Sequence, residues 1–280
     1  VKRLSERNIT ANVLVPWHIE KKLHHGWQGW FTHFIEGSSQ RINYDFKPLG
    51  LFYSISYWNV LFAPSFGRLF GQFERVNLGI IFLLFILFLL LYFFLRSRTR
   101  FVPAGIPLSI VTTGFAGMIF DLVVIFAFQS IYGYVFSWIG LLVASFMAGA
   151  ACGAMLITNG LERIQNGLKF FVKIELAITC FSIGLPFIFF AVNAYMSSQS
   201  VFFISGILFL VISFICGLLI GSQFPLANKL YLKNSASLSR TAGLLYASDL
   251  LGGWLGGIVG AVVLLPVLGL TGTCVTVGLL

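Results

Sequence analysis

The sequence predicts an all-α fold: a polytopic transmembrane helix bundle of about six to seven spans, preceded by a short soluble stretch. Three observations carry this. Of the 280 residues, 58% are hydrophobic and 10% charged, whereas a soluble domain is about 25% charged. Mean hydropathy is +0.92. The apolar residues fall in long uncharged runs separated by short polar loops, which is the pattern of repeated bilayer crossings.

Residues 1–47 stand apart, holding all four histidines and a mixed-charge pattern. Val13, Trp17, Leu23, Trp27, Trp30 and Phe34 recur at roughly helical spacing, which predicts a water-facing helix packed on something else. Residues 49–66, LGLFYSISYWNVLFAPSF, are just long enough to span, but Tyr53, Tyr57, Trp58, Asn59 and Pro64 suit an interfacial helix equally well. Six spans follow, at about 78–95, 105–128, 134–157, 174–195, 201–224 and 241–266.

The loops between them alternate in charge. Arg96, Arg98 and Arg100 mark the first, Arg163, Lys169 and Lys173 the third, and Lys229, Lys233 and Arg240 the fifth, while the second and fourth carry no charge. The positive-inside rule places the basic loops in the cytoplasm. Residues 1–47 then lie outside unless 49–66 crosses, and the sequence leaves both arrangements open. The net charge of +9 is spent on topology. Because Lys and Arg sit between apolar runs and form no stripe, nucleic acid is not an expected partner.

Two acids lie inside apolar runs. Twelve Leu, Ile, Val and Phe residues between 108 and 128 surround Asp121. Each contributes roughly 0.3–0.6 kcal/mol toward insertion, against roughly 2.5–3.5 for one Asp, so the span survives its charge. Asp249 is the only charge in 243–270. Asp121, Gln129 and Asp249 are the intramembrane polar candidates, each weighed against a plain structural hydrogen bond. Glu175, beside Lys173, reads as a solvated end residue at a helix N-terminus.

Small residues recur every fourth position at Gly149 and Gly153, at Gly217 and Gly221, and at Gly252, Gly256 and Gly260. Such spacing puts glycines on one helix face and lets backbones approach, so a tightly packed bundle is expected. Cys152, Cys180, Cys216 and Cys274 lie in separate apolar segments without metal spacing and read as small buried residues. His18, Glu20, His24 and His25 read as the surface of an amphipathic helix in preference to metal ligands. No phosphate loop, GxSxG or HExxH occurs, so no catalytic residue, metal or cofactor is expected within the chain.

Three stretches, TTGFAGMIFDLVVIFAFQSIYGYVFSWIGLLVASFMAGAACGAML, GLLIGSQFPLANKL and GLLYASDLLGGWLGGIVGAVVLLPVLG, together resemble the membrane module of spermidine synthase-like (polyamine aminopropyltransferase) membrane proteins. RNITANVLVPWHIEKKL and INYDFKP resemble the end of that family's synthase-like domain. The resemblance covers most of 8–60 and 112–280. It departs from the family at Asp121, where Glu with a following Arg is more usual.

The resemblance implies that residues 1–48 are the tail of a soluble synthase-like domain, 49–77 an interfacial or short spanning segment, and 78–280 a membrane domain truncated at its C-terminus. The chain is then expected to be a fragment of a bacterial inner-membrane, multi-pass protein. Its parent would transfer an aminopropyl group from decarboxylated S-adenosylmethionine to a diamine. The implied partners are the lipid bilayer, the upstream domain and a polyamine. The rival from another class is a transporter-like bundle moving a cationic substrate or protons by way of Asp121 and Asp249.

Overall fold

The computed structural model describes residues 20–21, 24–36, 43–44, 47–62, 72–73, 76–84, 86–87, 90, 105–133, 136–195, 199–232 and 237–280. The chain divides into two compact units, Val1–Ile42 and Asn43–Leu280. In the first, α1 spans His25–Glu36. The second holds α2 (Leu49–Phe62), α3 (Gly105–Tyr132), α4 (Phe136–Gly160), α5 (Gly167–Tyr195), α6 (Gln199–Leu232), α7 (Leu238–Val259) and α8 (Gly269–Leu279). A π-helical segment, Gly260–Leu268, joins the last two. Among the described residues there is no strand, only an isolated bridge between Tyr44 and Lys47.

Among the described residues, five stretches are long and apolar enough to cross a membrane: Gly105–Tyr132, Phe136–Arg163, Gly167–Ala194, Gly206–Leu232 and Leu238–Leu279. Of the expected 78–95 span, 78–84, 86–87 and 90 are described and helical, while the rest of it and the loop of Arg96, Arg98 and Arg100 lie outside the described residues. The helices overrun the apolar runs. Helix α5 begins at Gly167 and takes in Lys169 and Lys173, and α6 continues through Lys229. Polar residues at a membrane helix end keep the helical backbone satisfied while their side chains reach the interface.

Two parallel pairs organise the bundle. Helices α4 and α6 form its most extensive contact and α3 and α7 the next. Each pair meets at backbone distance. In α4–α6, a β-carbon on Gly149 would overlap the carbonyl oxygen of Phe214, and one on Gly217 that of Phe146. Gly153 meets Leu218 in the same way, and Gly221 meets Ala150. Each glycine thus faces the carbonyl three positions before its partner glycine, and the contacts rise together along both chains, Gly149 with Phe214 and Gly153 with Leu218, which makes the helices parallel. The serines one turn earlier obey the same rule: Ser145 Oγ donates to Leu210 O at 2.8 Å and Ser213 Oγ to Leu142 O at 2.8 Å.

Helices α3 and α7 repeat this register. A β-carbon on Gly252 would overlap Val111 O, and one on Gly114 would overlap Asp249 O. The pair then opens: Gly256 still meets Phe115 O, but Gly260 meets only the side chains of Ile119 and Leu122, each 3.2 Å from an added β-carbon. Met118 stands where a second glycine would be needed to keep the backbones together.

One end of the bundle is closed by rings. Phe128 stacks on Tyr132 at 4.6 Å and on Trp138 at 5.6 Å, and meets Phe209 edge-on at 5.5 Å; Phe189 stacks on Phe209 at 5.4 Å. These residues come from the end of α3, the start of α4, the end of α5 and the start of α6. At the opposite end Lys229 Nζ donates to Leu161 O at 2.5 Å and Ile164 O at 3.3 Å, tying the end of α6 to the third loop.

The last apolar stretch is not one rod. After Pro266 the chain reaches Gly269, whose φ of 73° and ψ of −176° are open to glycine and little else. Gly260 lies beside Ile119 and Leu122, yet Thr276 and Leu280 share a cavity with Leu108, Val111 and Thr112. The chain has therefore turned back along α3. Helix α8 seats on α5, where Ser182 Oγ donates to Cys274 O at 2.7 Å. Helix α2 packs Phe52 against Val267 of the π segment.

Candidate functional site along one ridge of α3

Helix α3 is the axis of the bundle, touching α4, α5, α6, α7 and α8. Ser109, Thr113, Gly117 and Asp121 recur along it at every fourth position. Such a ridge drifts around the helix by about 40° per step, because 3.6 residues make a turn. It therefore faces α5 first and α6 afterwards.

Ser109 Oγ donates to Glu175 Oε1 of α5 at 2.8 Å. Glu175 is half-buried and lies two turns inside α5, so the expectation of a solvated end residue is corrected: the helix starts earlier than the apolar run and carries the acid inward. Thr113 Oγ1 donates to Ser109 O at 2.7 Å and also pairs with Gln223 of α6. Gln223 is 0% exposed, and as placed it turns Oε1 toward Thr113 and leaves Nε2 without a partner.

A hydroxyl has one proton, which cannot serve both acceptors. With that proton on Ser109 O, the amide group facing Thr113 has to be the Nε2 donor, so the orphaned atom is the carbonyl oxygen. Higher on the ridge, an added β-carbon on Gly117 would stand 3.0 Å from Ile220 Cγ2. Asp121 lies within electrostatic reach of Cys216, and its Oδ1 is buried without a hydrogen-bond partner among the described residues. Asp121 is about 12 Å along α3 from Thr113 at 1.5 Å per residue, and Gly117 and Ile220 fill the interval. The Glu175–Ser109–Thr113–Gln223 cluster and Asp121 are two separate polar places.

Asp249 is elsewhere. Its carbonyl and its Oδ1 lie against Gly114 of α3, two turns before Asp121, and the side chain is half-buried. Gln129 is at the end of α3, where its carbonyl accepts from Gly133 N at 2.9 Å as the chain leaves the helix through a positive φ of 81°. Cys216 and Cys274 are buried, whereas Cys152 and Cys180 are exposed on the bundle surface, against the expectation that all four are buried. His18 lies outside the described residues. An apolar cavity of about 380 Å³ lies between residues 81 and 84, the first half of α3, and α7–α8. Its two threonines, Thr112 and Thr276, donate to Ser109 O at 2.8 Å and Gly272 O at 2.9 Å, so neither hydroxyl needs a partner inside it.

Ser145, Ser213 and Gly114 escape a search for paired glycines because serine and a lone glycine carry no pattern by themselves. Their role appears only in the register of the facing helix. Thr113 and Gln223 are 110 positions apart, with nothing in either local segment to link them. Long apolar helices packed at backbone distance define a multi-pass helical membrane bundle. Comparison of the chain with known protein families, curated proteins and solved structures finds no match.

Proposed function

We propose that the chain is the membrane part of a spermidine synthase-like protein of the bacterial inner membrane, with six to seven crossings and a short remnant of the soluble domain at its N-terminus, and that this bundle anchors the synthase-like domain. The observation that carries the anchoring role is the reciprocal register of α4–α6, repeated in α3–α7. Sliding either pair would drive side chains and carbonyls into glycine sites that admit neither. The bundle is built to hold one arrangement.

The test is enzymatic. The purified chain in detergent, given decarboxylated S-adenosylmethionine and putrescine, is expected to show no aminopropyl transfer, while the parent carrying its preceding residues turns over. Turnover by this chain alone would overturn the anchoring role. A parent without a glycine-rich donor loop ahead of Val1 would overturn the family reading.

The second reading is a transporter-like bundle for protons or a cationic substrate, and the unpartnered Oδ1 of Asp121 favours it. An intramembrane acid with one oxygen buried and unpartnered among the described residues is a functional signal, since burial without a partner costs free energy. Vesicles carrying the chain would then show saturable polyamine or proton flux that Asp121→Asn abolishes. Asp249 shares no site with it, so Asp249→Asn separates a two-acid carrier from a one-acid carrier. Absence of flux in the unmodified chain removes this reading.

A further inference from the structure

Helix α1, HGWQGWFTHFIE, places Trp27, Trp30, Phe31 and Phe34 at positions i, i+3, i+4 and i+7, which is one continuous face. Ile35 flanks this face, and Gly26, Gln28, Gly29, Thr32, His33 and Glu36 occupy the rest of the circumference. The aromatic face is outward: Trp27 is 58% exposed, Trp30 53%, Phe31 60% and Phe34 57%. The rings lean on one another, with Trp27 and Trp30 edge-on at 5.7 Å and Trp30 and Phe34 tilted at 4.5 Å. They form an apolar ridge about 10 Å long from Trp27 to Phe34.

We propose that α1 is a membrane-surface helix, lying in the bilayer plane with this face sunk roughly 5–10 Å into the boundary between headgroups and acyl chains. The occupant is lipid for three reasons. Tryptophan with phenylalanine on one face and Gly, His, Gln and Thr on the other is the composition that suits that boundary, because the indole ring is apolar but carries a donor that wants water or a headgroup. The bilayer is always at hand: residues 37–48 tie α1 to a unit with five membrane-length helices, and even fully extended they reach only about 40 Å. In the sequence, Lys21, Lys22 and His24 come immediately before α1, a basic flank that suits phosphate and anionic headgroups. This goes beyond the anchoring role and does not depend on it, because a membrane-surface α1 is compatible with either reading of the bundle.

The experiment uses the full chain, with Cys152, Cys180, Cys216 and Cys274 replaced by alanine, in phosphatidylcholine–phosphatidylglycerol vesicles. A polarity-sensitive fluorophore is attached at Phe31→Cys on the aromatic face or at Gly29→Cys on the opposite face, where an added side chain meets nothing within 4 Å. The expected result is blue-shifted emission at position 31, quenched severalfold more by a nitroxide lipid labelled near the headgroup than is the probe at position 29. Aqueous iodide should quench in the reverse order. Equal iodide quenching at both positions would place the face in water and overturn the proposal. A blue-shifted probe at position 31 that no nitroxide lipid reaches would assign the face to protein and overturn it too. Should the cysteine-free chain fail to assemble, the wild-type chain in the same vesicles is photolabelled with a lipid bearing a diazirine at its headgroup end. Adducts within 25–36 are expected, and their absence overturns the proposal.

Discussion

Gly217 of α6 lies with its Cα against the carbonyl oxygen of Phe146 of α4, so closely that no side chain fits between them. The same glycine type in α5 shows the contrast: a β-carbon on Gly184 would meet nothing within 4 Å. Gly217→Ala must therefore push two backbones apart, whereas Gly184→Ala gains about 0.5–1 kcal/mol from helix propensity. Thermal unfolding in detergent should fall for the first variant, by an amount equivalent to roughly 1–3 kcal/mol of overpacking, and hold or rise for the second. Equal behaviour would mean that α4 and α6 do not touch at this point.

Ser145 and Ser213 are related to each other as Gly149 is to Gly217, each reaching across to the other helix's backbone. Either serine changed to alanine should cost about 0.6–2 kcal/mol, the range for a hydrogen bond between membrane helices. The two bonds fix the same register, so the double variant should cost less than the sum, because the first loss already loosens the seam. Strict additivity in a double-mutant cycle would show two independent bonds.

The sequence carries the helix class plainly, since long uncharged runs have one structural solution in a bilayer. Helix ends are less legible: α5 starts at Gly167 and α6 runs through Lys229 because a helix does not stop where hydropathy falls. The return at Gly269 was written in Pro266 and Gly269, yet both residues are common in apolar helices and neither says which way the chain goes next. Partnership is the least legible. Gly252 and Gly256 announce a close approach, but that the approach is to Val111 and Phe115, in a parallel sense, depends on the whole assembly. Asp121 stands out in any hydropathy profile, while Thr113 and Gln223 do not, because uncharged polar residues are only mildly disfavoured in such helices.

Thr113 is the only described partner of the Gln223 side chain, which is fully buried. Thr113→Val removes that partner and leaves the amide with both ends unsatisfied, at a cost of about 1–3 kcal/mol. Gln223→Leu removes the amide itself and should cost less. The pair Thr113→Val with Gln223→Leu should recover most of the loss from the single threonine change, read as the midpoint of unfolding by denaturing detergent. A double variant no better than Thr113→Val would mean that the threonine and the amide do not interact.

Asp121 and Asp249 should respond oppositely to changes in their surroundings. The Oδ1 atom of Asp121 has no partner to lose, so Asp121→Asn should leave the unfolding midpoint unchanged or raise it. Asp249 is held through its backbone and Oδ1 against Gly114, with Oδ1 2.8 Å from where a β-carbon would be. Gly114→Ala should therefore lower the midpoint by displacing the α7 backbone at Asp249, even though Asp249 itself is intact. A marked loss of stability in Asp121→Asn would reveal a hydrogen bond that the carboxylate makes through its other oxygen.

Gly269 makes the sharpest prediction, because its backbone leaves no alternative. At φ 73° and ψ −176° a β-carbon is strained whatever space surrounds it, and such a conformation costs of order 1–3 kcal/mol in a residue other than glycine. Gly269→Ala should relieve that strain by changing the angle at which α8 leaves the π segment. Helix α8 is seated by Ser182 on Cys274 O and by Gly278, where an added β-carbon would stand 3.3 Å from Ile183 Cγ1, so a changed angle lifts Cys274 from its buried place. With the exposed Cys152 and Cys180 replaced by alanine, a thiol-reactive dye followed during heating should then report Cys274 at a lower temperature than Cys216, which is carried by α6. Gly243→Ala, an open position on α7, is the matched control and should leave both cysteines as they were. If Cys216 and Cys274 became reactive together in Gly269→Ala, α8 would be part of one cooperative unit with α6 and the turn would not set its seat.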